Sequence, residues 1–327
     1  MIKKFLFLIV ILCSILSCQK EKQHKSYSKI VTAPGPEDIV FDARNNRILV
    51  SCNERRSGHP FSSEIQQIDI LTNTCTALSV IDLPSIPFNP HGFDLQTVNG
   101  IPYLYVINHY KDDEASSSVL QFKINQDNLT FIKEYKHPLL ISPNDLTVLP
   151  SGGFYFSNDK NSADILELLT NPKAGSLVFC DGTDTWKKVD SAIGFPNGLY
   201  AEGNKLFLAT SRNNALYSYD MQSDGTLLNR RVLSGINGMD NISINGDELI
   251  VAVHPDEVRF ALLSYIPTTL SPSRTYSIDK RTGVAKVIFK DDGSMISGSS
   301  TALVVGNDLY LSQVFEGFVL KISNYAD

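Results

Sequence analysis

Residues 197–209, NGLYAEGNKLFLA, contain the pattern that decides the fold of this 327-residue chain. A polar residue opens a short apolar strand, a turn of Gly and Asn follows, and a second apolar strand leads back to polar residues. Five other segments follow the same plan, and the six copies begin at residues 37, 91, 144, 197, 240 and 300. A spacing of 43 to 60 residues suits four-stranded propeller blades with insertions. We therefore predict an all-β, six-bladed β-propeller with a central channel.

The competing folds explain this pattern less well. A parallel α/β fold needs helices of about 10–15 residues between its strands, and long helical periodicity is scarce here. A β-sandwich would not produce six copies of one motif. The chain is 43% hydrophobic, which is ordinary for a globular protein. Its net charge of −6 argues against a nucleic-acid partner, which would need a basic surface.

The N-terminal residues predict export. Lys3 and Lys4 precede an apolar run over residues 5–16 that is too short to span a bilayer as a mature helix. This run ends at Leu16-Ser17-Cys18, which resembles the bacterial lipobox, so we predict a signal peptide over residues 1–17 and a lipid on Cys18. We expect a tether over residues 18–29 and the propeller over residues 30–327. The protein would then lie in the cell envelope, anchored to a membrane by its lipid.

The repeat predicts two rings of polar side chains at one mouth of the channel. Equivalent positions in a radial array converge on the axis, and an antiparallel second strand returns to the same face. The first ring contains Glu37, His91, Asn144, Asn197, Asp240, Asn241 and Ser300. The second contains Asn53, Asn108, His109, Asn158, Asp159, Arg212, His254 and Gln313. Because buried polar groups are costly unless they are paired, these rings indicate a binding site.

The first ring has the chemistry of a calcium site. Carboxylate and amide oxygens without sulfur suit a hard cation, and Ca²⁺ accepts more ligands than Mg²⁺ does. The two carboxylates would balance the charge of one ion. The predicted ligands are Glu37, Asn144, Asn197, Asp240 and Asn241.

Two histidines are candidates for acid–base catalysis. His91 and His109 fall at the channel mouth on the two inner strands of one blade, so we expect them to be neighbours. His254 is a third candidate in the wall, with a weaker case.

At these residues the sequence resembles the serum paraoxonase/arylesterase family. The resemblance covers about residues 34 to 320 and depends on several segments in the order of that family. They are Glu37-Asp38, Phe88-Asn89-Pro90-His91-Gly92, Val106-Ile107-Asn108-His109, Pro143-Asn144-Asp145, Ser157-Asn158-Asp159, Pro196-Asn197-Gly198, Met239-Asp240-Asn241-Ile242-Ser243 and Val253-His254-Pro255.

The resemblance implies a propeller with two calcium ions in its channel. The catalytic ion would use the five ligands named above. The second, structural ion would use Asp38, Asp145 and a backbone oxygen near Phe93. His91 and His109 would form a catalytic dyad, and Asp159 would take part in proton transfer. The animal enzymes join their terminal regions by a disulfide, but no cysteine follows Cys180, so closure of this ring must depend on strand pairing alone.

The function expected from these features is calcium-dependent hydrolysis of lactones or aryl esters. A neutral imidazole is required, so activity should fall below about pH 6.5, the ordinary pKa of histidine. One alternative is a gluconolactonase-like enzyme with a single metal, which needs only Glu37, Asn144, Asn197 and Asp240. Another is a binding propeller without enzymatic activity, in which calcium braces the blades.

Overall fold

A computed structural model describes residues 24–60, 62–110, 117–160 and 171–326. The predicted signal peptide and the predicted lipidation site at Cys18 lie outside these ranges. The described chain forms six sheets, antiparallel except where Ser79–Ile81 pairs parallel with its neighbour, and their innermost strands contact one another in a closed ring, which confirms the predicted six-bladed β-propeller. Within these ranges, no helix is both long and apolar enough to cross a lipid bilayer.

The strands follow one another blade by blade. Strand β1 (Ser26–Val31) comes first in the chain. Blade 1 consists of β2 (Pro36–Asp42), β3 (Arg47–Asn53), β4 (Ser63–Asp69) and β5 (Cys75–Ala77). Blade 2 consists of β6 (Ser79–Ile81), β7 (Pro90–Val98), β8 (Ile101–His109), β9 (Ser117–Ile124) and β10 (Asn128–Tyr135). Blade 3 consists of β11 (Pro143–Val148), β12 (Phe154–Asn158), β13 (Gly175–Cys180) and β14 (Trp186–Ile193).

The second half of the ring continues this order. Blade 4 consists of β15 (Pro196–Glu202), β16 (Lys205–Thr210), β17 (Leu216–Met221) and β18 (Leu227–Ser234). Blade 5 consists of β19 (Met239–Asn245), β20 (Glu248–Val253), β21 (Ser273–Asp279) and β22 (Ala285–Asp291), with helix α1 (Glu257–Leu263) between β20 and β21. Blade 6 consists of β23 (Ser299–Val305), β24 (Asp308–Gln313), β25 (Phe318–Ser323) and β1.

The middle strands of the blades are apolar on both faces because each blade packs between two neighbours. Side chains alternate between the faces of a strand. In β12, Phe154 and Phe156 pack into a cluster shared with blade 2, whereas Tyr155 packs into a cluster shared with blade 4. Such clusters lie between adjacent blades all the way around the ring. The core is therefore a ring of six inter-blade interfaces.

A register shift near the start of every innermost strand aims the polar ring at the channel. In β11 the pairing with β12 jumps from Pro143 to Leu146, so Asn144 and Asp145 have no cross-strand partner. The same two-residue jump occurs in β7, β15, β19 and β23, and a one-residue jump occurs at Glu37 in β2. Bulges of this kind re-aim side chains and interrupt the hydrogen-bond ladder. The skipped residues are the first-ring positions predicted from the repeat.

Strand pairing alone closes the propeller, as the missing C-terminal cysteine predicted. Strand β1 pairs antiparallel with β25 over six residue pairs, from Ser26 with Ser323 to Val31 with Phe318. The described cysteines Cys52, Cys75 and Cys180 are all free thiols. The sheet begins at Ser26, which is four residues earlier than the predicted domain boundary at residue 30. Residues 26–29 of the predicted tether are therefore part of blade 6, because their backbone completes its outer edge.

Because β1 closes the ring, we expect substitutions at two adjacent residues of β1 to have very different effects on the free energy of unfolding. Ile30 is 3% exposed and packs in the cluster between blades 6 and 1, whereas Val31 is 76% exposed. We expect Ile30→Ala to lower the free energy of unfolding by about 2–5 kcal/mol, since it leaves a cavity in the closing interface. We expect Val31→Ala to change it by less than about 0.5 kcal/mol. Urea unfolding of both variants measures the difference, and equal values would contradict this role of β1.

Candidate active site

Four of the five predicted calcium ligands converge on one cavity of about 350 Å³ at the channel mouth. Glu37, Asn144, Asn197 and Asp240 line it together, although they come from blades 1, 3, 4 and 5. The other lining residues include Arg55, His91, Asp159, Phe195, Ser211, Arg212, His254, Glu257, Phe260 and Val314. Side chains that are far apart in the sequence thus line the same cavity.

Four buried oxygens in this site have no hydrogen-bond donor among the described residues. They are Glu37 Oε2, Asn144 Oδ1, Asn197 Oδ1 and Asn241 Oδ1, and all four belong to the predicted ligand set. Asn241 Nδ2 donates to Glu37 Oε1 at 2.9 Å and to Thr301 Oγ1 at 3.0 Å, which fixes the amide orientation. A buried polar atom without a partner costs about 1–3 kcal/mol. Four such oxygens on four ligand residues fit the requirements of a bound cation.

The fifth predicted ligand, Asp240, is held by a histidine. His254 Nε2 lies 2.7 Å from Asp240 Oδ2, and the His254 ring stacks on Phe260 of helix α1 with the ring centroids 3.8 Å apart. A histidine that contacts a ligand carboxylate restricts its orientation. His254 is thus a positioning residue for Asp240 in this geometry, whereas the sequence made it a third, weaker candidate for acid–base catalysis.

The electrostatics of Glu37 also favour a cation. Burial raises the pKa of Glu37 well above its ordinary value, and the nearby Asp38 carboxylate raises it further. Within the described ranges, no three His, Cys, Asp or Glu side chains gather to hold a metal by themselves. The amide oxygens of Asn144, Asn197 and Asn241 must therefore complete any metal site here. A hard, oxygen-seeking ion fits this donor set.

Asp38 and Asp145 lie deeper in the channel and connect adjacent blades. Asp38 Oδ2 accepts from the amide of Phe93 in blade 2 at 3.0 Å, and Asp145 Oδ2 accepts from the amide of Leu199 in blade 4 at 2.7 Å. Both carboxylates line a second cavity of about 270 Å³, which lies further along the innermost strands, beside Val40 and Thr147. Burial raises the pKa of Asp38 to about 6, and burial together with Asp38 raises the pKa of Asp145. Both carboxylates accept hydrogen bonds but form no salt bridge within the described ranges, so their charges fit the predicted second ion.

Two glycines allow the blades to approach at the ligand ring. A Cβ on Gly92 would lie 2.5 Å from the carbonyl oxygen of Asn144, and a Cβ on Gly198 would lie 2.6 Å from that of Asp240. Any side chain at either position would push neighbouring blades apart. The glycines of the His-Gly and Asn-Gly pairs noted in the sequence thus preserve the spacing of the ligands.

The structure brings the two predicted catalytic histidines together. His91 Nδ1 lies 2.9 Å from His109 Nε2, and His109 Nδ1 lies 3.0 Å from Ser117 Oγ. The free His91 Nε2 lies 3.8 Å from Glu37 Oε2. Burial, followed by the charge of Arg55, lowers the pKa of His91 well below its ordinary value and that of His109 to about 4. Both rings are therefore neutral at pH 7.

Asp159 lines the same cavity but is held apart from the histidine pair. Its Oδ1 accepts a short hydrogen bond from Ser142 Oγ, and burial raises its pKa. The positive charge of Lys160 opposes that rise and also acts on His109. Asp159 and His109 are thus both influenced by the charge of Lys160. Within the described ranges, no hydrogen bond joins Asp159 to His91 or His109.

Several second-ring residues brace loops instead of lining the cavity. Asn108 Oδ1 accepts from the amide of Asn89 at 2.6 Å, and Asn158 Oδ1 accepts from the amides of Ile141 and Ser142. Asn108 and Asn158 stand at the ends of β8 and β12. Their side chains therefore reach the loop that precedes the first inner strand of the same blade. Polarity at a strand end was therefore not sufficient evidence for a place in the channel.

The sequence reasoning missed Arg55 and Ser117. Arg55 lies two residues beyond the end of β3, and Arg212 lies two residues beyond the end of β16. Arg55 and Arg212 therefore occupy equivalent positions in blades 1 and 4, and a comparison of the two blades would have identified Arg55 as a cavity residue. Ser117 gives no comparable signal, because only the folded blade shows that it faces His109.

Comparisons with known proteins agree with this architecture. A profile of the arylesterase family matches residues 48–320. Serum paraoxonase/arylesterase 1 of Mus musculus is 27% identical over 262 residues, which cover 77% of this chain and 71% of the relative. Serum paraoxonase/lactonase 3 of Oryctolagus cuniculus is 25% identical over 297 residues, which cover 86% and 78%.

Solved structures with the same fold are more distant in sequence. A luciferin-regenerating enzyme superposes with a TM-score of 0.60 at 14% identity, covering 92% of this chain and 95% of its own. A gluconolactonase of Xanthomonas campestris superposes with a TM-score of 0.50 at 11% identity, covering 90% and 97%. At these identities the likeness concerns the fold alone.

Proposed function

Because the chain belongs to the arylesterase family, we propose that it is a calcium-dependent hydrolase of lactones and aryl esters. One observation carries the proposal. Three unpartnered ligand oxygens, on Glu37, Asn144 and Asn197, line the same cavity as His91 of the neutral histidine pair, and the fourth, on Asn241, belongs to an amide that bonds to Glu37. The family includes relatives named arylesterase and lactonase, which supports this substrate class.

The residues that would hold the catalytic calcium are Glu37, Asn144, Asn197, Asp240 and Asn241. When bound there, Ca²⁺ would polarise the ester carbonyl and stabilise negative charge on its oxygen. Asp38, Asp145 and a backbone oxygen near Phe93 would hold a second, structural ion. Both carboxylates also accept hydrogen bonds from adjacent blades. An ion bound between them would therefore also stabilise the contacts between those blades.

The histidines would supply the base. Ser117 Oγ can accept a hydrogen bond from His109 Nδ1, which leaves His109 Nε2 to accept from His91 Nδ1. This pair of tautomers presents the lone pair of His91 Nε2 for catalysis. His91 would take one proton from water as the water oxygen bonds to the carbonyl carbon. The ester C–O bond then breaks, and His91 returns its proton to the leaving oxygen, which gives a hydroxy acid from a lactone or a carboxylic acid and a phenol from an aryl ester. Asp159, which lines the same cavity as His91, would take part in proton transfer.

The open cavity favours an enzyme over a binding propeller. A scaffold braced by calcium has no need for an enclosed space of about 350 Å³ beside the ligands, lined by a neutral histidine. A screen of the purified protein, without its first 18 residues, against aliphatic lactones, sugar lactones and aryl esters tests the proposal. Activity on none of them, with calcium present, would overturn it.

We propose in addition that the protein is exported and anchored through Cys18, in keeping with the apolar run and the lipobox-like sequence. Mass spectrometry of the mature N-terminus tests this, since an unmodified N-terminus would contradict it.

The pH profile should differ from the one expected for an ordinary histidine. The base acts only when neutral, and a lowered pKa keeps it neutral to lower pH. Since the pKa of His109 is about 4 and that of His91 is also lowered, the acidic limb of kcat/KM should lie well below pH 6.5. This midpoint is lower than the one expected from the sequence. A profile on a neutral lactone at saturating calcium measures it, with circular dichroism at each pH to exclude unfolding. A midpoint at or above pH 6.5 would contradict the assignment.

A further inference from the structure

Arg55 carries a positive charge into the cavity and forms no ion pair within the described chain. Its Nη1 donates to the carbonyl oxygens of Gly35 at 3.0 Å and Asn53 at 3.1 Å, which anchors the guanidinium beside the ligand ring. Its Nη2 is enclosed by protein and has no acceptor among the described residues. A buried donor without an acceptor is costly, so this group favours an anion brought in by a ligand.

The other charges around the cavity are already matched. Arg212 Nε lies 3.5 Å from Glu257 Oε2, and the charge of Lys160 acts on Asp159. Glu54 lies outside the cavity, where its Oε2 is 3.5 Å from His59 Nδ1.

In the absence of metal, the carboxylates of Glu37 and Asp240 act on the charge of Arg55 more strongly than that of Glu54 does. Both belong to the proposed calcium site, so a bound Ca²⁺ would neutralise them. Among the described residues, the charge of Arg55 is then opposed only by the more weakly acting Glu54, and in a partly apolar cavity it attracts anions strongly.

We propose that Arg55 selects lactone or ester substrates that carry a carboxylate group. This rests on the proposed hydrolase function and narrows its substrate class. The apolar lining residues Phe195, Phe260 and Val314 offer a surface for the ring or hydrocarbon part of such a substrate. The carboxylate would pair with the guanidinium while the ester carbonyl faces the ligand ring and His91. The guanidinium suits this task because its charge is permanent, and the N–H groups that are not bonded to Gly35 and Asn53 can donate charge-assisted hydrogen bonds to a carboxylate.

Matched substrates test the proposal. The first is 5-oxotetrahydrofuran-2-carboxylate, a γ-lactone with a free carboxylate, and the second is its neutral carboxamide. We expect wild-type kcat/KM to favour the carboxylate by roughly 10- to 100-fold, as a charge-assisted hydrogen bond allows. In Arg55→Gln the ratio should fall to about 1, and in Arg55→Lys it should be intermediate. The exposed Arg44 lies in the turn after β2, and Arg44→Gln should keep the wild-type ratio.

The ratio is the readout because it cancels effects that are common to both substrates. Arg55 also acts on the histidines, and its loss could change turnover on both lactones equally. An equal loss on both substrates, with the preference retained, would make Arg55 a positioning residue and overturn the inference. A wild-type enzyme that prefers the carboxamide would overturn it as well, although the hydrolase function would stand.

A binding measurement keeps the inference separate from the reaction. Cyclopentanecarboxylate and cyclopentanecarboxamide imitate the two lactones and contain no ester to hydrolyse. By calorimetry on the calcium-loaded protein, we expect the carboxylate to bind about tenfold or more tightly, and Arg55→Gln to remove that advantage. Undiminished binding of the carboxylate to Arg55→Gln would show that it binds elsewhere, and would overturn the inference. If the wild type turned over neither lactone, the broader substrate screen would decide the hydrolase function, and the calorimetry would still decide the role of Arg55.

Discussion

Removal of calcium with EGTA is expected to lower kcat/KM on a neutral lactone by about 1,000-fold or more, and added calcium should restore it. The loss of a single donor to an oxyanion costs about 100- to 1,000-fold, and a divalent ion contributes at least as much. The reason lies in the four ligand oxygens that have no partner in the described protein. Elemental analysis would verify that the metal has been removed. Full turnover by the metal-free protein would contradict the proposed mechanism.

The same experiment has a readout that does not depend on catalysis. Binding of an ion to the folded state alone raises stability, by about 2.7 kcal/mol at a calcium concentration 100 times Kd. We expect the Tm to rise with calcium concentration. Glu37→Gln keeps the shape of the side chain but removes one of two charges, so calcium affinity should fall by about tenfold or more. The same change at Glu202, which is exposed in blade 4 and contacts Lys280, is the control and should leave affinity unchanged.

The second large effect is expected at His91. His91→Gln should lower kcat by about 100- to 10,000-fold, since general-base catalysis contributes factors of this size. Glutamine has a similar size and can form hydrogen bonds, but it cannot accept the proton from water. Calcium affinity should stay close to that of the wild type, so the loss would appear in kcat and not in metal binding. His109→Gln should have a smaller effect, because His109 acts through His91.

A matched control is available on the outer part of the molecule. His137 stacks on Trp186 with ring centroids 4.6 Å apart and does not line the cavity. His137→Gln should therefore keep wild-type kcat. If His91→Gln retained wild-type kcat while binding calcium normally, His91 would not be the base, and another group would have to activate the water.

Much of the site was visible in the sequence because its residues occupy repeated positions. Glu37, Asn144, Asn197 and Asp240 each stand at the start of an innermost strand, so one motif predicted all four. The histidine pair was predictable for the same reason, since the two strands of one hairpin end at the same face. Where the reasoning went too far, as with Asn108 and Asn158, it treated a polar residue at a strand end as a channel residue. These side chains satisfy loop amides instead.

The sequence by itself determined the six-bladed architecture and the residue types around the axis, because both depend on a period that is visible along the chain. Only the tertiary structure decided which atoms meet. The bond from Asn241 to Glu37 joins blade 5 to blade 1, and the charges that act on Arg55 come from side chains of the same two blades. The bulges, the closure by β1 and the lowered pKa of His109 likewise arise from contacts between distant segments. Burial and long-range pairing have no local signature, whereas strand period and turn residues do.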